Sequence, residues 1–315
     1  MSLSSAYTTG EQHILAGLPC QDRAAAIETL TANGSATIIS VADGHGHQTH
    51  FRSHIGAELA IKAAEECIGR LAPEIAHGDV APEALPKAIM ECWSEAVGSH
   101  MEANPCPPPP DTECHIPYGC TLLAAWTLDG FSMFLQLGDG LCVAVDSLGT
   151  ATVPVPADPQ CHDGNTTSMC GLSPADFRIA TSASPIALAM LCTDGISDIS
   201  PDADFLAADL SHSILRGFLD EGPEQFAATL RASLPELSRS GGGDDAAIAL
   251  WINPALAACA VHGLRSRLTD TMTLRRQSIA NELDTLAGDN SNHAIYRRKV
   301  LLESLDIIES RMASL

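Results

Sequence analysis

Three short apolar runs in the sequence end the same way: Val41-Ala42-Asp43-Gly44, Leu137-Gly138-Asp139-Gly140 and Cys192-Thr193-Asp194-Gly195. Gly241 to Gly243 lead into Asp244 and Asp245 ahead of a fourth run, and Cys20-Gln21-Asp22 stands near the start. Any one Asp-Gly pair is ordinary turn chemistry. As an ordered set they read differently. An Asp at the end of a strand projects from a rigid element, and the Gly after it lets a carbonyl or ligand approach closely. Several such ends facing one another would gather carboxylates that repel. Hard divalent cations with oxygen ligands, Mg²⁺ or Mn²⁺, resolve that repulsion.

Histidine and cysteine supply rival readings. His45, His47, His50 and His54 form a His-rich run, and His50 and His54 are spaced to share one helix face. Zinc would want three or four N/S ligands in tetrahedral order, and no Glu follows His50 to complete a hydrolytic helix motif. Cys106, Cys114, His115, Cys161, His162 and Cys170 could also gather a metal, but their spacings match no standard site. The eleven Cys residues are scattered and include no Cys-x-x-Cys pair. They read as reduced, half-buried thiols of a cytoplasmic protein.

The elements that must position these residues can be placed from pattern. Apolar runs bounded by Gly, Asp and Pro predict strands at about 36–42, 120–128, 131–137, 141–146, 177–181, 186–192 and 246–252. Helical periodicity covers about 53–71, 81–101, 203–219 and 223–236. Asp129-Gly130 joins two strands as a tight hairpin. Consecutive hairpins with helices grouped between them predict an α+β fold with antiparallel sheets. Residues 104–117 hold a Pro run that fits a surface loop.

Five pieces, in order, resemble the metal-dependent type 2C serine/threonine protein phosphatases, of a bacterial type, over about residues 10–252. They are Gly17 to Asp22, Val41 to Gly46, Gly119-Cys120-Thr121 with the strand ending at Gly138-Asp139-Gly140, Leu191 to Asp198, and Gly243 to Ala246. The resemblance implies a four-layer α-β-β-α sandwich of two antiparallel sheets flanked by helices. It implies a phosphatase acting on phosphoserine or phosphothreonine in a protein substrate, through a hydroxide bridging two Mn²⁺ or Mg²⁺ ions. Asp43 would bridge the ions, with the Gly44 carbonyl joining their shell. Asp194 and Asp244 would bind one of them, and Asp22 would be a direct or water-mediated ligand. Asp139 would hold a third, looser ion or orient its waters. His45, two residues after Asp43, is the candidate general acid for the alkoxide leaving group.

The chain departs from that pattern where many members carry an Arg that grips the substrate phosphate. Residues 12–17 read Gln-His-Ile-Leu-Ala-Gly, and His13 is the nearest substitute, a weaker grip than bidentate Arg. That departure leaves open a catalytically weak or inactive regulator that binds a phosphoprotein or partner. Residues 155–176 fall where the family carries a flap. Asn165-Thr166-Thr167 there are candidate substrate contacts, with plain loop filler the simpler reading.

Composition bounds the rest. Of 315 residues, 17 are Lys or Arg and 39 Asp or Glu, a formal charge of −22 that argues against nucleic-acid binding. An apolar content of 45% excludes a disordered chain. No apolar run has the length of a membrane span, and the polar residues 1–10 do not read as a secretory signal. The strand pattern stops after Pro254, so residues 1–254 read as the catalytic domain and 255–315 as a helical extension. The extension carries +1 against −23 for the remainder. Two amphipathic helices split near Gly288-Asp289-Asn290 would pack on the domain or serve as a partner or dimer contact.

Overall fold

A computed structural model describes residues 1–31, 34–106, 113–161, 165–289 and 291–315. Ten strands form two five-stranded antiparallel sheets. The first sheet has β1 (Ser2–Thr8), β10 (Ala246–Ile252), β9 (Ile186–Cys192), β6 (Leu141–Asp146) and β7 (Ala151–Thr152), in that spatial order. The second has β2 (Arg23–Thr31), β3 (Gly34–Ala42), β4 (Leu122–Leu128), β5 (Phe131–Leu137) and β8 (Arg178–Ser182). The predicted central strands lie within about two residues of their expected ends. The turn between β4 and β5 is the expected one, with positive φ at both Asp129 and Gly130.

Alternation along each strand sends side chains to opposite faces and makes three cores. On β3, Ile38 packs outward with Cys67, Ile68, Ile89 and Trp93 of the helices α2 (Ser53–His77) and α3 (Ala84–Ala103). Its neighbour Ile39 packs inward with Leu123, Phe134, Leu191 and Trp251 between the sheets. The Phe134 and Trp251 rings stack there at 6.3 Å. On the far face Val143, Met190 and Leu250 pack against α5 (Ala203–Glu221), α6 (Pro223–Ser240) and α7 (Pro254–Leu286). The result is an α-β-β-α sandwich. Its central strands are buried on both faces, which is why they read as unbroken apolar runs.

Three strands went unpredicted: β1, β2 and the two-residue β7. β1 is a polar edge strand whose pairing with β10 runs from Ser2↔Ile252 to Thr8↔Ala246. β2 is the edge strand paired with β3, and it is only half-buried. Neither carries the apolar signal of a central strand. Two short helices, α1 (Glu11–Ala16) and α4 (Asp194–Ser197), carry His13 and Asp194, and the helical extension is α7 followed by α8 (Asn292–Ser314). Ala257, Ala260 and Leu264 of α7 belong to the core beneath the first sheet. Ion pairs of Arg275 with Asp202 and of Arg311 with Asp209 tie both helices to α5 and its N-cap. No helix among the described residues is long and apolar enough to cross a membrane.

Candidate metal centre and active site

One end of the sandwich collects the strand termini singled out by sequence. Asp43 follows β3, Asp139 lies between β5 and β6, Asp194 follows β9, and Asp244 precedes β10. With Gly44, His45 and His13 they line a cleft of about 490 Å³. Asp43, Asp139 and Asp194 bring carboxylate oxygens within 4.8 Å of one another. Asp139, expected on the margin, thus sits in the central group. Asp244 lines the same cleft, and its ligand atom falls instead within 4.8 Å of those of His13 and Asp245.

The supports are local and specific. Thr121 accepts from the Asp43 N–H at 3.0 Å and returns its own N–H to the Asp43 carbonyl at 2.8 Å. Asp22 is buried beneath the cleft, outside its lining, and accepts from Thr193 Oγ1 at 2.6 Å. Thr193 in turn takes the Ala247 N–H at 2.9 Å, which locks β9 to β10 behind the site. Gly44 and Gly195 are required by packing. A Cβ on Gly44 would lie 2.8 Å from the Gln21 carbonyl oxygen, and one on Gly195 would lie 1.9 Å from the Asp245 carbonyl oxygen.

These carboxyls are hard to ionise together. Burial, then Asp22 and Asp139, push Asp43 well above the usual carboxylate range. Burial also raises Asp22, against the opposing effect of its bond from Thr193. Asp194 is pushed up to about 9 by burial, then by Asp43, Asp139 and Asp244. One oxygen of Asp22, Oδ1, is buried without a hydrogen-bond partner. An all-oxygen donor set, mutual repulsion and an orphaned carboxylate oxygen fit hard divalent cations.

His45 stands on the wall of the cleft. Its Nε2 lies 2.7 Å from Ser168 Oγ, and Ser168 donates to the Cys120 carbonyl at 3.2 Å. That assigns the His45 Nε2–H as donor to Ser168. Burial, then His50, lower its pKa to about 4. The rival zinc reading of the His run, already weakened by its spacing, finds no ligand set: no three of these histidines bring ligand atoms together among the described residues. His50 also precedes α2, in a short 3₁₀ turn, so it does not share that helix with His54. The Cys/His cluster likewise does not assemble among the described residues, and His162 lies outside them. Cys114 contacts His115, Cys161 contacts Thr166, and Cys170 contacts Ser168.

Asn165, Thr166, Thr167 and His13 were candidates from sequence; Ser168, Asp158, Arg178 and the inward turn of Asp245 escaped sequence reasoning. The 165–168 stretch is more than filler. Asn165, Thr166 and Ser168 line the cleft, and Thr166 donates to Asp139 Oδ1 at 3.2 Å. Thr167 takes the Gly138 N–H at 2.8 Å and donates to buried Asp158 at 3.0 Å. Arg178 of β8 donates to the Gly138 carbonyl at 2.7 Å, so it fastens the same turn. Asp245, the partner of Asp244 in sequence, turns inward. It accepts the Gly10 N–H at 2.7 Å and the Gln21 N–H at 2.5 Å. It also lies 2.8 Å from His13 Nδ1, an ion-pair distance off the line of the ring N–H. His13 therefore lines the cleft, near where a phosphate grip was sought, with Nε2 on the side of Gly46. The only signal for these roles was position within loops flanking the Asp turns.

A twin-sheet fold with carboxylates gathered at one end defines a class, and comparison with known proteins names it. The protein phosphatase 2C family model matches residues 9–252, and the chain belongs to that family. It is thereby a metal-dependent phosphoprotein phosphatase. No curated protein sequence matches the chain. The fold is shared with the serine/threonine phosphatase Stp1 from Staphylococcus aureus at 13% identity and a TM-score of 0.52, covering 80% of this chain and 95% of that one. The S. agalactiae serine/threonine phosphatase is 14% identical with a TM-score of 0.52, over 80% and 99% of the two chains. A C. elegans sex-determining protein is 13% identical with a TM-score of 0.52, over 83% and 67%.

Proposed function

We propose that this protein hydrolyses phosphoserine and phosphothreonine on proteins at a binuclear Mn²⁺ or Mg²⁺ site. The observation that carries the reading is the convergence of Asp43, Asp139 and Asp194 within 4.8 Å in an open cleft. Asp43 and the Gly44 carbonyl, with Asp194, Asp139 and Asp244, would hold the ions, and Asp22 would support Asp43 from beneath or through water. When bound, two divalent cations supply an activated water and a clamp on the phosphoryl oxygens.

The residues of the chain supply positioning and protons. Thr121 fixes the backbone of Asp43, and Thr193 fixes Asp22, so two of the carboxylates are held before any ligand arrives. Thr166 holds Asp139 from the flap side. His13 stands in for the family's phosphate-gripping Arg, backed by Asp245. His45 is the proton donor to the leaving alkoxide. Its ring is neutral in the free protein, and the arriving phosphate dianion favours the charged form. Residues 1–254 form the catalytic unit on this reading and 255–315 a helical extension docked on it, in a cytoplasmic setting that thiols such as Cys67, Cys142 and Cys192 in the interior favour.

The function is tested with para-nitrophenyl phosphate and a phosphothreonine peptide, with and without Mn²⁺. Turnover of both that appears only with metal is expected, and binding of the peptide without any turnover would instead mark a regulator. The role of His45 has its own signature. His45→Ala should slow the phosphopeptide by about 10²-fold. It should slow para-nitrophenyl phosphate far less, because nitrophenolate leaves without a proton. Equal losses on the two substrates would reduce His45 to a positioning group.

A further inference from the structure

A second cleft, of about 440 Å³, opens where α5 meets α7 and the end of α8. It shares no lining residue with the active-site cleft. His212 and Arg216 of α5 and His262 and Arg265 of α7 line it, with Ala258 and Val261 as an apolar wall and Leu315 at its α8 end. Every ionisable side chain of that lining is basic, in a chain of formal charge −22. His212 is 2% exposed, and its Nδ1 has no hydrogen-bond partner.

The charged groups that bear on His212 are Arg311, Arg216, Arg265 and a single acid, Asp209. Asp209 is already taken by Arg311, at 2.6 Å. Arg216 spends Nη1 on the Ser314 carbonyl at 2.6 Å and, more loosely, on the Leu315 oxygen at 3.5 Å, and its Nε lies 3.6 Å from exposed Asp220, which leaves Nη2 free of those partners. Arg265 has no carboxylate within ion-pair range among the described residues. A guanidinium offers five donors in a planar fork that matches an oxyanion, so these two arginines retain donors to give. A buried ring nitrogen without a partner is unfavourable until something accepts or donates to it. Burial and the surrounding guanidiniums hold the imidazole neutral, and a neutral ring can still carry its proton on Nδ1.

We propose that this cleft binds a small phosphate-bearing anion. Arg216 and Arg265 would clamp its oxygens, His212 Nδ1–H would donate to one of them, and Ala258 and Val261 would pack against any carbon portion. The inference goes beyond the phosphatase reading and does not depend on it. It joins the catalytic unit to the extension through one ligand, since α5 lies before residue 254 and α7 after it.

The test is a titration of the full-length, Mg²⁺-loaded protein, followed by methyl NMR at Ala258 and Val261. Inorganic phosphate and phenylphosphonate, a non-hydrolysable stand-in for an ester, are the two probes. Both should shift these methyls saturably, with half-saturation on the order of 1 mM. Tighter binding of phenylphosphonate would assign the site to esters, and tighter phosphate binding to the free anion. Arg265→Gln should weaken the response by about tenfold, and the Arg216→Gln, Arg265→Gln pair should abolish it. Asp43→Asn, which acts at the other cleft, should leave it intact. No saturable shift, an undiminished response in Arg265→Gln, or a loss in Asp43→Asn would each overturn the proposal. Turnover is measured on the same samples, so failure here stands apart from failure of the phosphatase reading.

Discussion

Asp43→Asn should lose at least about 10³-fold in kcat against a phosphothreonine peptide at saturating Mn²⁺. The loss follows from the place of Asp43. Its ionisation is opposed, after burial, by Asp22 and then by Asp139, so it faces both the buried carboxyl and the part-buried cleft group. Removing its charge removes the oxygen donor best placed to serve two ions. The same substitution should raise the melting temperature of the metal-free protein at neutral pH. It takes one carboxylate out of a mutually repelling group and replaces it with an amide that can donate to Asp22. Lower activity with higher metal-free stability is a combination that a merely structural Asp would not give. Activity within tenfold of the parent would sink the assignment.

Metal removal gives the second large effect, and its pH dependence has a definite sign. Asp194 has a folded-state pKa of about 9 against an ordinary value of 3.8. A carboxyl raised on folding keeps its proton in the native state while the unfolded chain releases it. Stability is therefore fully present below the ordinary pKa and is lost as pH rises through the folded value. Between pH 6 and 8 this one group costs the metal-free protein on the order of 1 kcal/mol per pH unit. Asp22 and Asp43 shift the same way and add to it. Cations bound at these oxygens reverse the preference, since they bind the ionised form. EDTA should lower the melting temperature by about 5 °C or more at pH 8, and by less at pH 6. The profile with Mn²⁺ should be nearly flat over that range. A metal-free melting temperature unchanged from pH 6 to 8 would show that these carboxyls do not converge in solution.

How much of this was legible beforehand depends on where the information lies. The runs that became β3, β4, β5, β6, β9 and β10 were plain because strands buried on both faces need apolar residues at every position. β1 was not, since Ser2 to Thr8 form a polar edge whose partner β10 lies at the other end of the domain sequence, at residues 246–252. Asp43, Asp139, Asp194 and Asp244 stood out because each follows or precedes a strand with Gly beside it. Thr166, Ser168 and Arg178 carried no such mark. Their roles come from docking the 165–168 stretch onto the Gly138 turn, a contact between segments with no local pattern.

The recurring Asp-Gly ends therefore pointed, by themselves, to carboxylate chemistry at strand ends and fixed the order along the chain in which the candidate ligands come. The unbroken apolar runs likewise determined that the central strands are buried on both faces. The tertiary structure decided which carboxylates share a centre. It drew Asp139 into the group with Asp43 and Asp194, set Asp22 beneath them, and turned Asp245 inward to hold Gly10, Gln21 and His13. It also brought His212, Arg216 and Arg265, from helices on either side of residue 254, into one basic cleft, which the charge split along the chain does not locate. Distances between strand ends and between helix faces are fixed by how the sheets stack and the helices pack. Those are long-range choices that no local stretch of sequence encodes.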